Sequence, residues 1–163
     1  MTADGQLKVL LVESDGSLRR SISAILEASE FETAGAVDYE TALKLLDGGR
    51  FDAALVSTRL VQGPPGFVVI RAFRSRQTGP VVALLDEPNF EEAVSALRLG
   101  VTDVLVKPPR PSELVAALRN GLGHSALGDL QADPEAVQPE GEDADQAQPE
   151  SAGADPAAGG ESG

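Results

Sequence analysis

The stretch FDAALVSTRL, from Phe51 to Leu60, is an apolar run that ends abruptly in two hydroxyls and an arginine. Ala53, Ala54, Leu55 and Val56 show no alternation of apolar and polar side chains. A short run of that kind is covered on both faces, as in the centre of a parallel sheet. In an open α/β sheet the residue at the carboxyl end of such a strand faces the ligand crevice. Here that residue is Ser57.

The same grammar extends in both directions. Lys8–Val12 (KVLLV) is a second buried strand, and Leu18, Ile22, Ile25 and Leu26 then recur at helical spacing, with Arg19 and Arg20 on the solvent side. Phe31–Val37 is a weaker strand, suited to a sheet edge. Asp38 is placed to N-cap a helix carrying Ala42, Leu45 and Leu46, which Gly48 and Gly49 stop. Beyond the stiff loop VQGPPG, Phe67–Phe73 reads as a helix, although Val68, Val69 and Ile70 lower its propensity. Pro80–Leu85 (PVVALL) is a fourth strand, Glu91–Leu99 a helix with Gly100 at C′, and Val104–Val106 a fifth strand. Pro111 opens the last helix at its first position, through Leu114, Val115 and Leu118. Five βα units with short connections predict a flavodoxin-like, doubly wound (βα)5 fold with parallel sheet order 2-1-3-4-5. That order gathers Glu13, Ser14, Ser57, Leu85, Asp86 and Lys107 around one crevice. Asp52 falls at the opposite end of its strand.

Composition narrows the class. The 163 residues include 42% hydrophobic side chains, enough for one domain with a real core. No apolar run approaches the roughly 18 residues of a membrane span, and MTADGQLK has no signal-peptide character, so a cytoplasmic protein is expected. Cysteine is absent and His124 is the sole histidine, which excludes disulfides, thiolate chemistry and histidine-rich metal sites. The net charge of −13 is uneven: every Lys and Arg lies at or before Arg119, whereas from Gly123 onward there are ten acids and no Lys or Arg. Residues 123–163, rich in Ala, Gly, Pro, Gln, Asp and Glu, cannot bury enough surface to offset their ordering entropy. They are expected to form a disordered acidic tail behind a domain at 6–122. The QPE triplets at Gln138–Glu140 and Gln148–Glu150 are compositional bias. An acidic tail also argues against direct nucleic-acid binding. No helix-turn-helix or basic stretch appears after Leu122.

KVLLVES with LRR downstream, FDAALVSTRL, GPVVALL and LRLGVTDVLVKPPRPSELVAAL together resemble a receiver domain of the bacterial response regulators, over Lys8 to Leu122. The resemblance implies a cis Lys107–Pro108 bond. It also implies phosphoryl transfer from a histidine kinase to an aspartate at the end of strand three. In that family two acids after strand one hold Mg²⁺ with the aspartate. A Thr or Ser after strand four and a Lys after strand five contact the phosphoryl group, and an aromatic residue on strand five moves with them. On that pattern Glu13 matches the first acid, but Ser14 stands at the second acid and Ser57 at the acceptor. Leu85 replaces the hydroxyl residue, Val104 the aromatic switch, and Lys107 alone is retained.

An acyl phosphate needs a carboxylate, and Mg²⁺ is held mainly by carboxylates and water. The expectation is therefore a degenerate phosphorylation pocket with Mg²⁺ binding lost or very weak. No cofactor and no enzymatic reaction are expected. The leading functional reading is a phosphorylation-independent module that contacts signalling proteins, with Val104 marking a docking face on helix four, strand five and helix five. A weak homodimer through that face, and no membrane contact, complete this reading. Lys107 then serves to neutralise Glu13 or Asp86, and Ser57 is a satisfied polar strand end. A second reading has a Ser/Thr kinase acting on Ser57 or Thr58. A third is a small flavodoxin-like cofactor-binding protein. A conventional receiver using Asp86 as acceptor is the remaining alternative.

Overall fold

The computed structural model describes residues 5–131. Five strands, β1 (Leu7–Val12), β2 (Phe31–Ala36), β3 (Ala53–Ser57), β4 (Val81–Leu85) and β5 (Asp103–Val106), alternate with five helices. These are α1 (Gly16–Ala28), α2 (Tyr39–Gly48), α3 (Gly66–Arg76), α4 (Phe90–Arg98) and α5 (Pro111–Gln131). All strand pairs are parallel, and the sheet order is β2-β1-β3-β4-β5, as the βα alternation requires.

Burial follows strand position. Every residue of β3 and β4 is buried, which explains why their sequences do not alternate. β2 and β5 lie at the edges and are only partly covered. Side chains of Leu10, Val12, Ala54, Val56, Ala83 and Leu85 pack under α2, α3 and α4. Val9, Leu11, Leu55 and Leu84 pack on the other face, under α1 and α5.

Local signals act as their chemistry dictates. Asp38 Oδ1 accepts from the Thr41 N–H at 2.9 Å and caps α2. That backbone hydrogen bond holds the Asp38 carboxyl below its ordinary pKa. Gly100, just past α4, has φ +91°, the left-handed residue of a helix C-terminus. The Lys107–Pro108 bond is cis.

Two glycines permit close approaches that a Cβ would block. Gly121 does not break α5, which runs through it to Gln131. A Cβ at Gly121 would come within 2.8 Å of the Pro80 side chain, so the glycine there permits close packing of helix on sheet. Of the segment expected to be disordered, 123–163, residues 123–131 instead continue α5, and those from 132 onward lie outside the described residues. Gly66, the first residue of α3, donates its N–H to Thr58 O at 3.0 Å. A Cβ there would sit 1.9 Å from the Ser57 carbonyl oxygen, which fixes how closely α3 approaches the end of β3.

Gly66→Ala is accordingly expected to destabilise the domain by about 3 kcal/mol, because backbone and not a flexible side chain must yield. Urea unfolding followed by circular dichroism measures this, and a loss below about 1 kcal/mol would show that α3 can shift freely.

Candidate functional site

Parallel strands deliver all their carboxyl ends to one pole, so the residues just after β1, β3, β4 and β5 meet there. The Lys107 ammonium is their common point. Its Nζ lies 2.8 Å from Glu13 Oε1 and 2.7 Å from Asp86 Oδ1. It also donates to Ser57 Oγ at 2.7 Å. Three acceptors thus surround a group with three protons. The Lys107 side chain is 13% exposed and that of Glu13 only 3%. Burial works to lower the Lys107 pKa, but the Asp86 and Glu13 carboxylates outweigh it and hold the ammonium above the ordinary lysine value.

The acids are themselves positioned from below. Glu13 Oε2 accepts the Asp15 N–H at 2.9 Å, and Asp15 Oδ1 in turn caps α1 through the Leu18 N–H. Arg19 reaches back from α1 to donate to the Glu13 carbonyl at 2.7 Å. Asp52 lies at the opposite pole, where Oδ2 accepts from the Lys8 N–H at 2.8 Å.

Both serines at the crevice hold the loop that follows β3. Ser57 is fully buried and donates to Arg59 O at 3.0 Å while accepting from Lys107. Ser14 Oγ accepts from the Val61 N–H at 2.9 Å. Residues Arg59 to Val61 are thereby clipped across the crevice from both sides. Thr58, 1% exposed, donates to Glu92 Oε2 at 2.6 Å, and Arg59 Nη2 lies 3.3 Å from the same carboxylate. Helix α4 is thus tied to the end of β3.

The structure brings Glu13, Ser57, Asp86 and Lys107 into one contact network. Ser14 lines the adjoining cavity with Glu13, Asp15, Arg59 and Lys107. Leu85 is 1% exposed and packs in the core under α2–α4, away from that network. Val104 is half-buried against the same core, and Leu97 and Val106 nearby are exposed. Glu92 and Arg59 carry no obvious sequence signal. Asn89-Phe-Glu-Glu92 has the form of a capping box, and Asn89 does cap α4 through the Glu92 N–H, but the Glu92 carboxylate turns to Thr58.

Chemically, the network neutralises charge and fixes geometry. Ser57 Oγ accepts a hydrogen bond from an ammonium and donates its O–H to a carbonyl, so neither of these partners is a base that activates it as a nucleophile. Among the described residues, no group of three His, Cys, Asp or Glu side chains is arranged to hold a metal ion.

Residues 9–119 match the family described as the response regulator receiver domain. The chain belongs to that family. DNA-binding response regulator MtrA of Mycobacterium tuberculosis is 32% identical over 112 residues, covering 69% of this chain and 49% of MtrA. The phosphate regulon transcriptional regulatory protein PhoB of Escherichia coli is 30% identical over 114 residues, 69% of this chain and 50% of PhoB. The chain therefore spans about half the length of the curated relatives it matches. The BeF3-activated N-terminal receiver domain of Klebsiella pneumoniae RstA superposes with a TM-score of 0.65 at 25% identity, over 71% of this chain and 97% of that domain. Receiver domains work in two-component signalling by contacting partner proteins such as histidine kinases and effector domains. No helix among the described residues of this receiver is long and apolar enough to cross a membrane.

Removing the ammonium leaves Glu13 buried and uncompensated. Lys107→Met is expected to cost about 3 kcal/mol, and Lys107→Met with Glu13→Gln to recover part of it. Because the folded-state pKa of Lys107 is raised, its contribution is complete below the ordinary lysine value of 10.5 and is lost as pH rises through the folded value. Urea midpoints for wild type and Lys107→Met should therefore differ at pH 7 and converge at strongly alkaline pH. A gap that persisted there would assign the loss to packing.

Proposed function

We propose that this chain is a pseudo-receiver: a receiver domain that signals through protein contacts without accepting a phosphoryl group. The observation that carries the reading is the state of Ser57. It is the last residue of β3, at the acceptor position of the resemblance. It is fully buried, and both its donor and its acceptor capacity are used within the domain.

The donor set also fits Mg²⁺ poorly. One oxygen of Glu13 faces the ammonium and the other accepts the Asp15 N–H. Ser14 and Ser57 are neutral hydroxyls already engaged, and Asp86 faces Lys107. A hard dication would have to displace Lys107 from two carboxylates without gaining a third. The same engagement weighs against Ser57 and Thr58 as kinase substrates, because each hydroxyl is buried and hydrogen-bonded. Asp86 is exposed enough to be reached, but its carboxylate is paired with Lys107.

Information then leaves the domain through its surface. The face formed by α4, β5 and α5 carries Val104, with Leu97 and Val106 exposed beside it, and a signalling partner docks there on this reading. A small apolar side chain at 104 does not toggle, so the face is presented in one state. The protein is cytoplasmic on this reading, and any effect on transcription passes through the partner.

Incubation with acetyl phosphate or a phosphorylated histidine kinase in Mg²⁺ should give no adduct by intact-mass spectrometry. A stoichiometric, hydroxylamine-sensitive adduct would overturn the proposal. Mg²⁺ titration should leave the thermal midpoint unchanged, since only native-state binding raises it. Val104→Arg should reduce partner recovery at least about tenfold in a quantitative pull-down, and full retention of every partner would remove the docking face.

A further inference from the structure

Between Asp52 and Asp86 the sequence holds four arginines, Arg59, Arg71, Arg74 and Arg76, and no acidic residue. Three of the four lie on α3. Arg71, Arg74 and Arg76 are exposed, and with Tyr39, Val68 and Leu99 they line a shallow groove along that helix. Of these three, only Arg76 has a carboxylate partner among the described residues, Asp47 Oδ1 at 3.2 Å. Among the described residues Arg71 and Arg74 have no carboxylate within ion-pair distance, although the chain carries 26 acids. A cation near a helix C-terminus is favoured by the dipole, which accounts for Arg74 and Arg76 in the last turn of α3. Arg71 lies outside that turn, so the dipole does not explain the whole stripe.

Charge complementarity to the stripe is found in the chain's own sequence. Residues 132–163 hold nine Asp and Glu, no Lys and no Arg. Their largest apolar side chain is Val137, so an attraction to them is electrostatic and not a packing of apolar faces. Helices α3 and α5 cover opposite faces of the sheet. The arginine stripe therefore lies on the sheet face opposite the α5 residues that pack in the core.

We infer that the outer face of α3, through Arg71, Arg74 and Arg76, docks the acidic 132–163 segment of a second copy of this chain. Several weak, exposed charge pairs acting together give an association that is reversible and steeply salt-dependent. The inference is independent of the pseudo-receiver reading, since it uses neither the crevice nor the Val104 face.

Sedimentation equilibrium of the full chain tests it. At low ionic strength the weight-average mass should rise with concentration toward that of a dimer or larger species, and about 0.5 M salt should return it to the monomer. Arg71→Glu with Arg74→Glu should raise the association midpoint at least about tenfold, with Arg71→Gln/Arg74→Gln as the gentler variant should the reversal perturb folding. An excess of synthetic peptide spanning 132–163 should dissociate the wild-type species. A monomer at every concentration would overturn the inference, as would variants that associate like wild type or an assembly indifferent to the peptide. A salt-sensitive compaction independent of concentration would overturn it too.

Discussion

The Lys107 ammonium sits where the carboxyl ends of β1, β3 and β4 converge on the residue that follows β5, and it is shared among Glu13, Ser57 and Asp86. A parallel sheet concentrates its strand ends at one pole, and in this chain that pole holds a carboxylate withdrawn almost completely from water. An isolated buried carboxylate is untenable, so the Glu13 position depends on the lysine. Such a pair adds little net stability once its desolvation is counted. Its effect is to dictate where four strand ends lie relative to one another, and everything built on that pole inherits the arrangement.

What is built there is a clasp for the β3–α3 connection. Ser14 takes the Val61 N–H, Ser57 takes the Arg59 carbonyl, and Glu92 ties Thr58 and Arg59 to α4. Gly66 then lets α3 start in contact with the Ser57 carbonyl. Each of these contacts joins two parts of the domain itself. Positions that the family resemblance associates with charge and exchange are occupied by internal hydrogen bonds. The functional reading therefore follows from how the polar atoms are spent, not from the fold.

Much of this was legible in the residue string. The unbroken apolar runs of β3 and β4 marked the sheet centre, Asp38 and Gly100 marked helix ends, and strand order followed from the βα alternation. The meeting of Lys107 with both Glu13 and Asp86 was foreshadowed, because all three stand at strand ends. The rest depended on distances that local pattern does not encode. Ser14 and Val61 are joined only by the path of a loop, and Glu92 turns away from the cap its spacing suggests. The close approach of Gly121 to Pro80 joins two elements that no local pattern links. Leu85 looked like a crevice residue by position, yet the pleat directs its side chain into the core under α2–α4.

The buried hydroxyl at the end of β3 has one more consequence. A receiver that gains and loses a phosphoryl group has a clock, set by the lifetime of a covalent bond, and its output at any instant reports recent history. Ser57, held between Lys107 and the Arg59 carbonyl, takes no part in such an exchange on the proposed reading. On the proposed reading, the domain keeps no record of past stimulation. On that reading the number of copies present becomes a variable for the cell to set, so synthesis and turnover of the chain take over the task that chemistry performs in a phosphorylated receiver.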